Sequence, residues 1–319
     1  MIFSILLLIM GLIILIAGAE GLVRGSTSLA KKIGIPPLII GLTIVAFGTS
    51  MPELIVNIFA ALEKTSDIAV GNIIGSNIFN ILFILGLVSI FRPLTVKSST
   101  VWKEIPFALL AMIMVFIMGN DSFFDKTGLN ALTRTDGFSL IAMFLIFMIY
   151  ILSLAKKNKD EEQEKIKIYS WGISISFISG GLILLFLGGK LLVDSAIVLA
   201  QLAGLSESLI GLTIVAIGTS LPELATSAIA AYHRHNDIAV GNIVGSNIFN
   251  IFWILGLTSS IFKLPFNPGT NVDLTAGIIA TFLLFIFMFI GTRKKLDRWQ
   301  GVLFLMSYIA YTIYLIIRG

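Results

Sequence analysis

The stretch Gly48-Thr49-Ser50-Met51-Pro52-Glu53 sets a carboxylate inside an apolar run extending from about residue 37 to 62, and nearly the same words return at Gly218-Thr219-Ser220-Leu221-Pro222-Glu223. An ionisable side chain at bilayer depth costs about 2.5–3.5 kcal/mol on insertion scales, so by default it is read as a group facing a cavity or a partner. Two such groups in matching contexts set the terms for the rest of the chain.

The offset between the copies is 170 (223 − 53), and the same offset relates Asn80 to Asn250 (250 − 80). Residues 67–73 match 237–243 letter for letter, as do 75–81 and 245–251. The chain is 57% hydrophobic and 13% charged, with a mean hydropathy of +0.99, which marks an integral membrane protein rather than a soluble domain. Apolar runs recur at the ~20-residue length that crosses a bilayer. They predict spans at residues 2–23, 37–62, 67–91, 105–119 and 137–155, then at 171–193, 205–232, 238–262, 274–290 and 299–317. The first run lacks a basic n-region and a small-residue cleavage site, so it is expected to be a true span rather than a leader.

A repeat unit of five spans is odd, so its two copies enter the membrane in opposite senses, the plan of inverted-repeat secondary transporters. The expected fold class is therefore an all-α membrane protein of ten helices in two inverted five-helix repeats, residues 1–155 and 169–319. A short mixed-charge linker, 156–168, joins them and is too small to house a regulatory domain. The absence of cysteine excludes disulfides, thiolate metal sites and thiol catalysis. The net charge of +4 does not mark a nucleic-acid face, because the basic residues flank spans. Sixteen of the 22 Lys and Arg fall in alternate loops, which predicts both termini outside and the loop from Lys156 to Lys167 in the cytoplasm.

Ser50-x-x-Glu53 has capping-box spacing with Pro52 in the first turn, which predicts a helix that stops and restarts in mid-membrane and exposes backbone oxygens. A mere capping role for Glu53 is disfavoured, since Ser or Thr caps a helix without the insertion cost of a carboxylate. Asn72, Ser76 and Asn80, and Asn242, Ser246 and Asn250 in the copy, fall at i, i+4 and i+8 and stack polar atoms on one helix face. Gly71-x-x-x-Gly75 and Gly241-x-x-x-Gly245 leave room for a close neighbour. Asn72, Asn77, Asn242 and Asn247 can serve as ligands or as cross-helix hydrogen bonders; Ser76, Asn80 and Asn250 are read as ligands.

Two inverted copies meeting at the midplane would bring Glu53 and Glu223 together among Thr49, Ser50, Ser76, Asn80, Thr219, Ser220, Ser246 and Asn250. Paired carboxylates in low dielectric require a proton or a cation between them. An all-oxygen set selects Ca2+, Na+, Mg2+ or H+ over softer metals, and irregular mixed ligation suits Ca2+ best. Ions that need the same two carboxylates exclude one another, which favours exchange over cotransport. Among other classes, an intramembrane hydrolase lacks a membrane-depth His, Cys or G-x-S-x-G, and a cation channel is a third reading. His233 and His235 read as solvated loop residues, Asp121, Asp125 and Asp136 as interfacial, and Glu20 and Asp194 as end-of-helix charges.

The paired motifs GTSMPEL with GNIIGSNIFN and GTSLPEL with GNIVGSNIFN resemble those of the cation/Ca2+ exchanger superfamily, and within it the compact prokaryotic Na+/Ca2+ exchangers, over essentially the whole chain. The resemblance implies a Na+/Ca2+ exchanger fold in which helices two, three, seven and eight enclose the ions while helices one and six slide to alternate access. It implies about three Na+ per Ca2+ and no cofactor. It also implies Glu53 and Glu223 as Ca2+ ligands with Thr49 and Thr219; for Na+ it adds the carbonyls of Ala46 and Ala216 with Ser50, Ser220, Ser76 and Ser246. Asn80 and Asn250 would face the centre. Some members carry Asp at the place of Asn250, so this chain has a less negative site, which argues against K+ co-transport. Na+ is the expected counter-ion and H+ the runner-up. The expected partners are these ions and the lipid bilayer, with no nucleic acid and no obligate protein partner.

Overall fold

The structure, a computed structural model, describes residues 2–124, 126, 130–157, 168–202 and 216–318. In the first half α1 (Ile2–Ile33) precedes a bent pair, α2 (Pro37–Thr49) and α3 (Met51–Leu62), then α4 (Ser66–Phe91), α5 (Thr100–Met118) and α6 (Arg134–Lys157). In the second half α7 (Trp171–Leu202), α8 (Ala216–Thr219), α9 (Leu221–Tyr232), α10 (Asn236–Ile261), α11 (Thr270–Phe287) and α12 (Arg298–Arg318) repeat that order. Among the described residues eight helices are long and apolar enough to cross a membrane, and α2 with α3, bent by 44° at their break, brings the number to nine when the pair is counted as one span. Of the expected span 205–232 only 216–232 is described. Residues 205–215, Asp125 and 158–167 of the expected linker lie outside the described residues.

Two short antiparallel ladders tie the halves together. The strand β1 (Leu94–Thr95) pairs with β4 (Lys295–Leu296), and β2 (Ala131–Leu132) pairs with β3 (Leu264–Pro265). β1 and β3 are repeat mates, yet each bonds to a strand from the other half, a reciprocal exchange like that of two units related by a two-fold axis.

The centre of the bundle is built from α4 and α10, whose most apolar windows are 78% and 94% buried; α12, at 17%, faces outward. Polar residues follow the same gradient: Ser76, Asn77, Asn80, Ser246, Asn247 and Asn250 are all buried. A membrane helix that carries this much polarity must satisfy it inside the protein, because lipid offers no partner.

The helices α1 and α7 are each 32 residues long, about 48 Å at 1.5 Å per residue, and run past the expected ends at 23 and 193. Arg24 does not end α1, because it pairs with Glu20 one turn earlier, and Thr27 Oγ1 donates back to Val23 O at 2.9 Å. The terminator is Gly34, at φ +70°, one residue past the helix. Glu20 is thus an interior charge of α1 rather than an end-of-helix one. It also receives His233, whose Nε2 lies 2.7 Å from Glu20 Oε2. His233 therefore caps α9 against α1 and is not a freely solvated loop residue.

α1 and α7 pack antiparallel through glycine. A Cβ on Gly18 would sit 2.7 Å from the Leu185 backbone N, one on Gly181 would sit 2.6 Å from Leu22 N, and one on Gly188 would sit 2.5 Å from Leu15 N. Gly11, Gly18 and Gly25 recur every seven residues and face Gly188, Gly181 and Ser174, so the backbones touch at three levels over about four turns. Ser28 and Ser174 extend the seam with a hydroxyl pair at 2.8 Å.

Candidate cation site

The bend between α2 and α3 falls at Ser50 (φ −83°, ψ 8°), and its mate Ser220 adopts φ −91°, ψ 7°. The expected capping box does not form, since neither hydroxyl bonds to its own helix. The backbone ladder continues through the bend: Ser50 N–H bonds Ala46 O at 3.0 Å and Leu54 N–H bonds Ser50 O at 3.1 Å. Pro52 has no N–H to cap. The helix stops at Thr49 and restarts at Met51 with a 44° bend, as the motif predicts, but without the capping box, and the hydroxyl is left for a stronger acceptor.

That acceptor is the carboxylate of the other repeat. Ser50 Oγ donates to Glu223 Oε1 at 3.1 Å, and Ser220 Oγ donates to Glu53 Oε1 at 3.0 Å. Ser246 and Ser76 add second donors, at 3.3 Å to Glu223 Oε1 and 3.4 Å to Glu53 Oε1. Both carboxylates are fully buried, and Oε2 of each has no hydrogen-bond partner among the described residues.

The remaining expected residues surround this pair. Thr49 Oγ1 donates to Asn242 Oδ1 at 3.1 Å and lies 3.5 Å from Ser246 Oγ. It also lies 3.4 Å from Ala46 O, so that carbonyl is shared between Thr49 and Ser50. Thr219 Oγ1 donates to Asn72 Oδ1 at 3.4 Å, and Ala216 opens α8 one turn before the Ser220 bend. The approach of α10 to α2 is set by glycine: a Cβ on Gly245 would meet the Ala46 Cβ at 2.8 Å, and one on Gly241 would meet Leu38 at 3.2 Å.

Asn80 and Asn250 each stand near the start of a widened π-helical stretch, Phe79–Leu85 in α4 and Phe249–Leu255 in α10. Such local widening recurs at functional sites because it re-aims side chains, and nothing in the repeated words announced it. Asn80 Nδ2 donates to Asn247 Oδ1 and Asn250 Nδ2 to Asn77 Oδ1, both at 2.9 Å, while both Oδ1 atoms are unpartnered. Asn77, Asn242 and Asn247 resolve as cross-helix hydrogen bonders: Asn242 Nδ2 reaches Ser227 Oγ at 3.0 Å and Glu223 O at 3.4 Å.

Of the groups gathered here, four buried acceptors find no donor among the described residues: Glu53 Oε2, Glu223 Oε2, Asn80 Oδ1 and Asn250 Oδ1. Burying unpaired acceptors is costly, and a carboxylate more so than an amide. A cation is the kind of ligand that satisfies such acceptors, and an all-oxygen set of carboxylate, amide and hydroxyl groups is the chemistry that Ca2+, with about six to eight oxygen ligands, accepts. The described residues hold no cluster of three or more His, Asp or Glu, so the charge of the site is that of two carboxylates.

The sodium/calcium exchanger protein family matches the chain over residues 3–153 and 173–317. Inner membrane protein YrbG of Escherichia coli is 39% identical over 277 residues, covering 84% of this chain and 83% of that protein. Sodium/calcium exchanger MaX1 of Methanosarcina acetivorans is 30% identical over 344 residues, covering 98% of each. Among solved structures, the sodium-calcium exchanger NCX_Mj soaked with zero Na+ and Ca2+ superposes with a TM-score of 0.83 at 33% identity, covering 98% of this chain and 99% of that one. With both halves matched and the bundle reproduced from end to end, the chain belongs to the sodium/calcium exchanger protein family and has its fold.

Proposed function

We propose that this protein is a secondary active antiporter that exchanges Ca2+ for Na+, about three Na+ per Ca2+, by alternating access at one midplane site. The observation that carries the reading is the pair of two-fold-related carboxylates, each anchored through Oε1 by a serine of the opposite repeat and each with Oε2 unpartnered. One doubly charged ion neutralises that pair; several singly charged ions compete for the same oxygens. The names of the relatives support the choice of ions, since MaX1 and NCX_Mj are both described as exchangers of sodium and calcium. Membership of this family makes the chain a transporter rather than a hydrolase, and it requires no cofactor.

In this reading Glu53, Glu223, Thr49 and Thr219 hold Ca2+. Ser50, Ser220, Ser76, Ser246 and the carbonyls of Ala46 and Ala216 complete the Na+ positions, with Asn80 and Asn250 between them. The halves 1–155 and 169–319 act as two inverted units within a monomer, with both termini outside and the Lys156–Lys167 loop in the cytoplasm. A second reading keeps the site but replaces Na+ by H+. It is favoured by Asn250, which leaves two carboxylates whose charge two protons would also cancel. Ca2+-loaded proteoliposomes given opposing Na+ or pH gradients separate the two. Ca2+ flux that follows Na+ at constant pH is expected, and flux indifferent to Na+ but driven by pH would replace Na+ by H+.

A further inference from the structure

The amides of Asn77 and Asn247 have an orientation that the backbone dictates. Asn77 Nδ2 donates to the backbone O of Asn247 at 3.1 Å, and Asn247 Nδ2 donates to the backbone O of Asn77 at 3.2 Å. A carbonyl can only accept, so each side chain must present its NH2 there and turn its Oδ1 the other way. Those two Oδ1 atoms are the ones that receive Asn250 Nδ2 and Asn80 Nδ2, each at 2.9 Å. The choice propagates: with their NH2 groups held by an oxygen, Asn80 and Asn250 must turn their own Oδ1 away, and these are the two unpartnered amide oxygens of the candidate site. Reversing either amide would set oxygen against oxygen. Bulk solvent does not reach these amides: Asn77 and Asn247 are 1% and 3% exposed, and Asn80 and Asn250 are fully buried.

We propose that Asn77 and Asn247 are positioning residues for cation binding, which fix the Asn80 and Asn250 carbonyls toward the transported ion and hold the charge of the site at that of two carboxylates. The inference rests on the antiport reading and adds a determinant to it. It also gives a reason for asparagine at 250. An ionised aspartate there would place a second acceptor about 3 Å from Asn77 Oδ1, where the structure now has a hydrogen bond. The quartet therefore favours a neutral donor at this position, and its two-fold mate makes the same demand of Asn80.

The test is a double-mutant cycle on the full-length protein in proteoliposomes, reading the Ca2+ concentration that half-saturates gradient-driven uptake. Asn250→Ala removes the carbonyl itself and is expected to raise half-saturation about tenfold. Asn77→Ala is expected to do the same, because the freed amide of Asn250 loses its orientation. The double variant is expected to stay within about threefold of Asn250→Ala, since the two residues act on one oxygen. Costs that multiply, to about a hundredfold, would overturn the proposal in favour of independent packing, as would an unchanged half-saturation in Asn77→Ala. Asn247→Ala with Asn80→Ala repeats the cycle on the two-fold mate. If Asn77→Ala and Asn247→Ala both fail to fold while Asn80→Ala and Asn250→Ala fold, the role is structural and the proposal falls. Wild-type vesicles without Ca2+ uptake under any gradient would instead refute the antiport reading, and normal wild-type uptake with a multiplicative cycle would refute only the positioning role.

Discussion

Ser50 of one repeat donates its hydroxyl to Glu223 of the other at 3.1 Å, and Ser220 returns the bond to Glu53 at 3.0 Å. Each carboxylate is therefore held at a bend that belongs to the opposite half. Neither repeat could assemble the site alone, and a shift of one half against the other alters both carboxylates together. In the low dielectric of the bundle such charge-assisted bonds count for more than surface ones, and they leave one oxygen of each carboxylate free for an ion.

Replacing either glutamate by glutamine keeps the volume and removes the charge. We expect Glu53→Gln and Glu223→Gln each to lower Ca2+ uptake about a hundredfold or more, equivalent to about 2.7 kcal/mol, while the melting temperature without ions stays level or rises. Level or rising stability is expected because a buried unpaired charge is itself destabilising. Tracer Ca2+ uptake and thermal melting check this pair of outcomes, and exchange retained in both single variants would rule out a shared site.

The serines should behave as equals. A hydrogen bond to a charged group contributes about 1.5–3 kcal/mol, part of which a relaxing neighbour recovers, so Ser50→Ala and Ser220→Ala should each weaken Ca2+ binding roughly five- to twentyfold. The two-fold geometry further requires the two values to agree. Isothermal titration of Ca2+ in detergent measures both, and a disagreement of more than about tenfold would show that the carboxylates are not equivalent.

The repeated words carried much of this in plain view. The offset of 170, the paired carboxylates and the stacked Ser76/Asn80 and Ser246/Asn250 faces are all local identities, and the structure places them at the centre of the bundle. What the sequence did not disclose is relational. Ser50 and Glu223 are 173 residues apart, and their bond depends on how two helices cross, so the local capping-box spacing suggested a partner that the fold does not use. The length of α1 was hidden because Arg24 looks like a span end until Glu20 is seen to lie one turn back on the same helix. The glycine heptad at 11, 18 and 25 was legible in principle; its meaning required the facing helix.

That glycine seam gives a steric prediction. A side chain on Gly18 or Gly181 would meet backbone atoms of the facing helix at 2.6–2.8 Å, where rotamer changes give no relief. Gly18→Val and Gly181→Val should each destabilise the protein by about 1–3 kcal/mol or force α1 and α7 apart. On the neighbouring face, Gly180 has no described atom within 4 Å of a built Cβ, so Gly180→Ala should be neutral or stabilise by up to about 1 kcal/mol through helix propensity. Thermal melting in one detergent compares all three, and equal effects at Gly180 and Gly181 would disprove the close seam.

Gln300 separates stability from transport. Its side chain is fully buried far along the chain from the carboxylates, where Nε2 donates to Phe287 O at 3.0 Å and Ile290 O at 2.9 Å and Oε1 accepts from Asp297 N–H at 2.7 Å. These bonds close the C-terminal end of α11 and the start of α12, where a helix otherwise leaves carbonyls unpaired. Gln300→Leu matches the volume but strands two carbonyls and an N–H, each at about 1–3 kcal/mol when buried, so a total loss of about 2–5 kcal/mol is expected after local relaxation. Gln300→Glu keeps the acceptor for Asp297 N–H but sets carboxylate oxygens against both carbonyls, and it should be at least as damaging. In both variants the molecules that fold should keep the wild-type Ca2+ half-saturation, because no bond of Gln300 reaches the site. Melting curves together with uptake normalised to folded protein test this, and a half-saturation that moves with stability would mean that the α11–α12 junction is coupled to the ions.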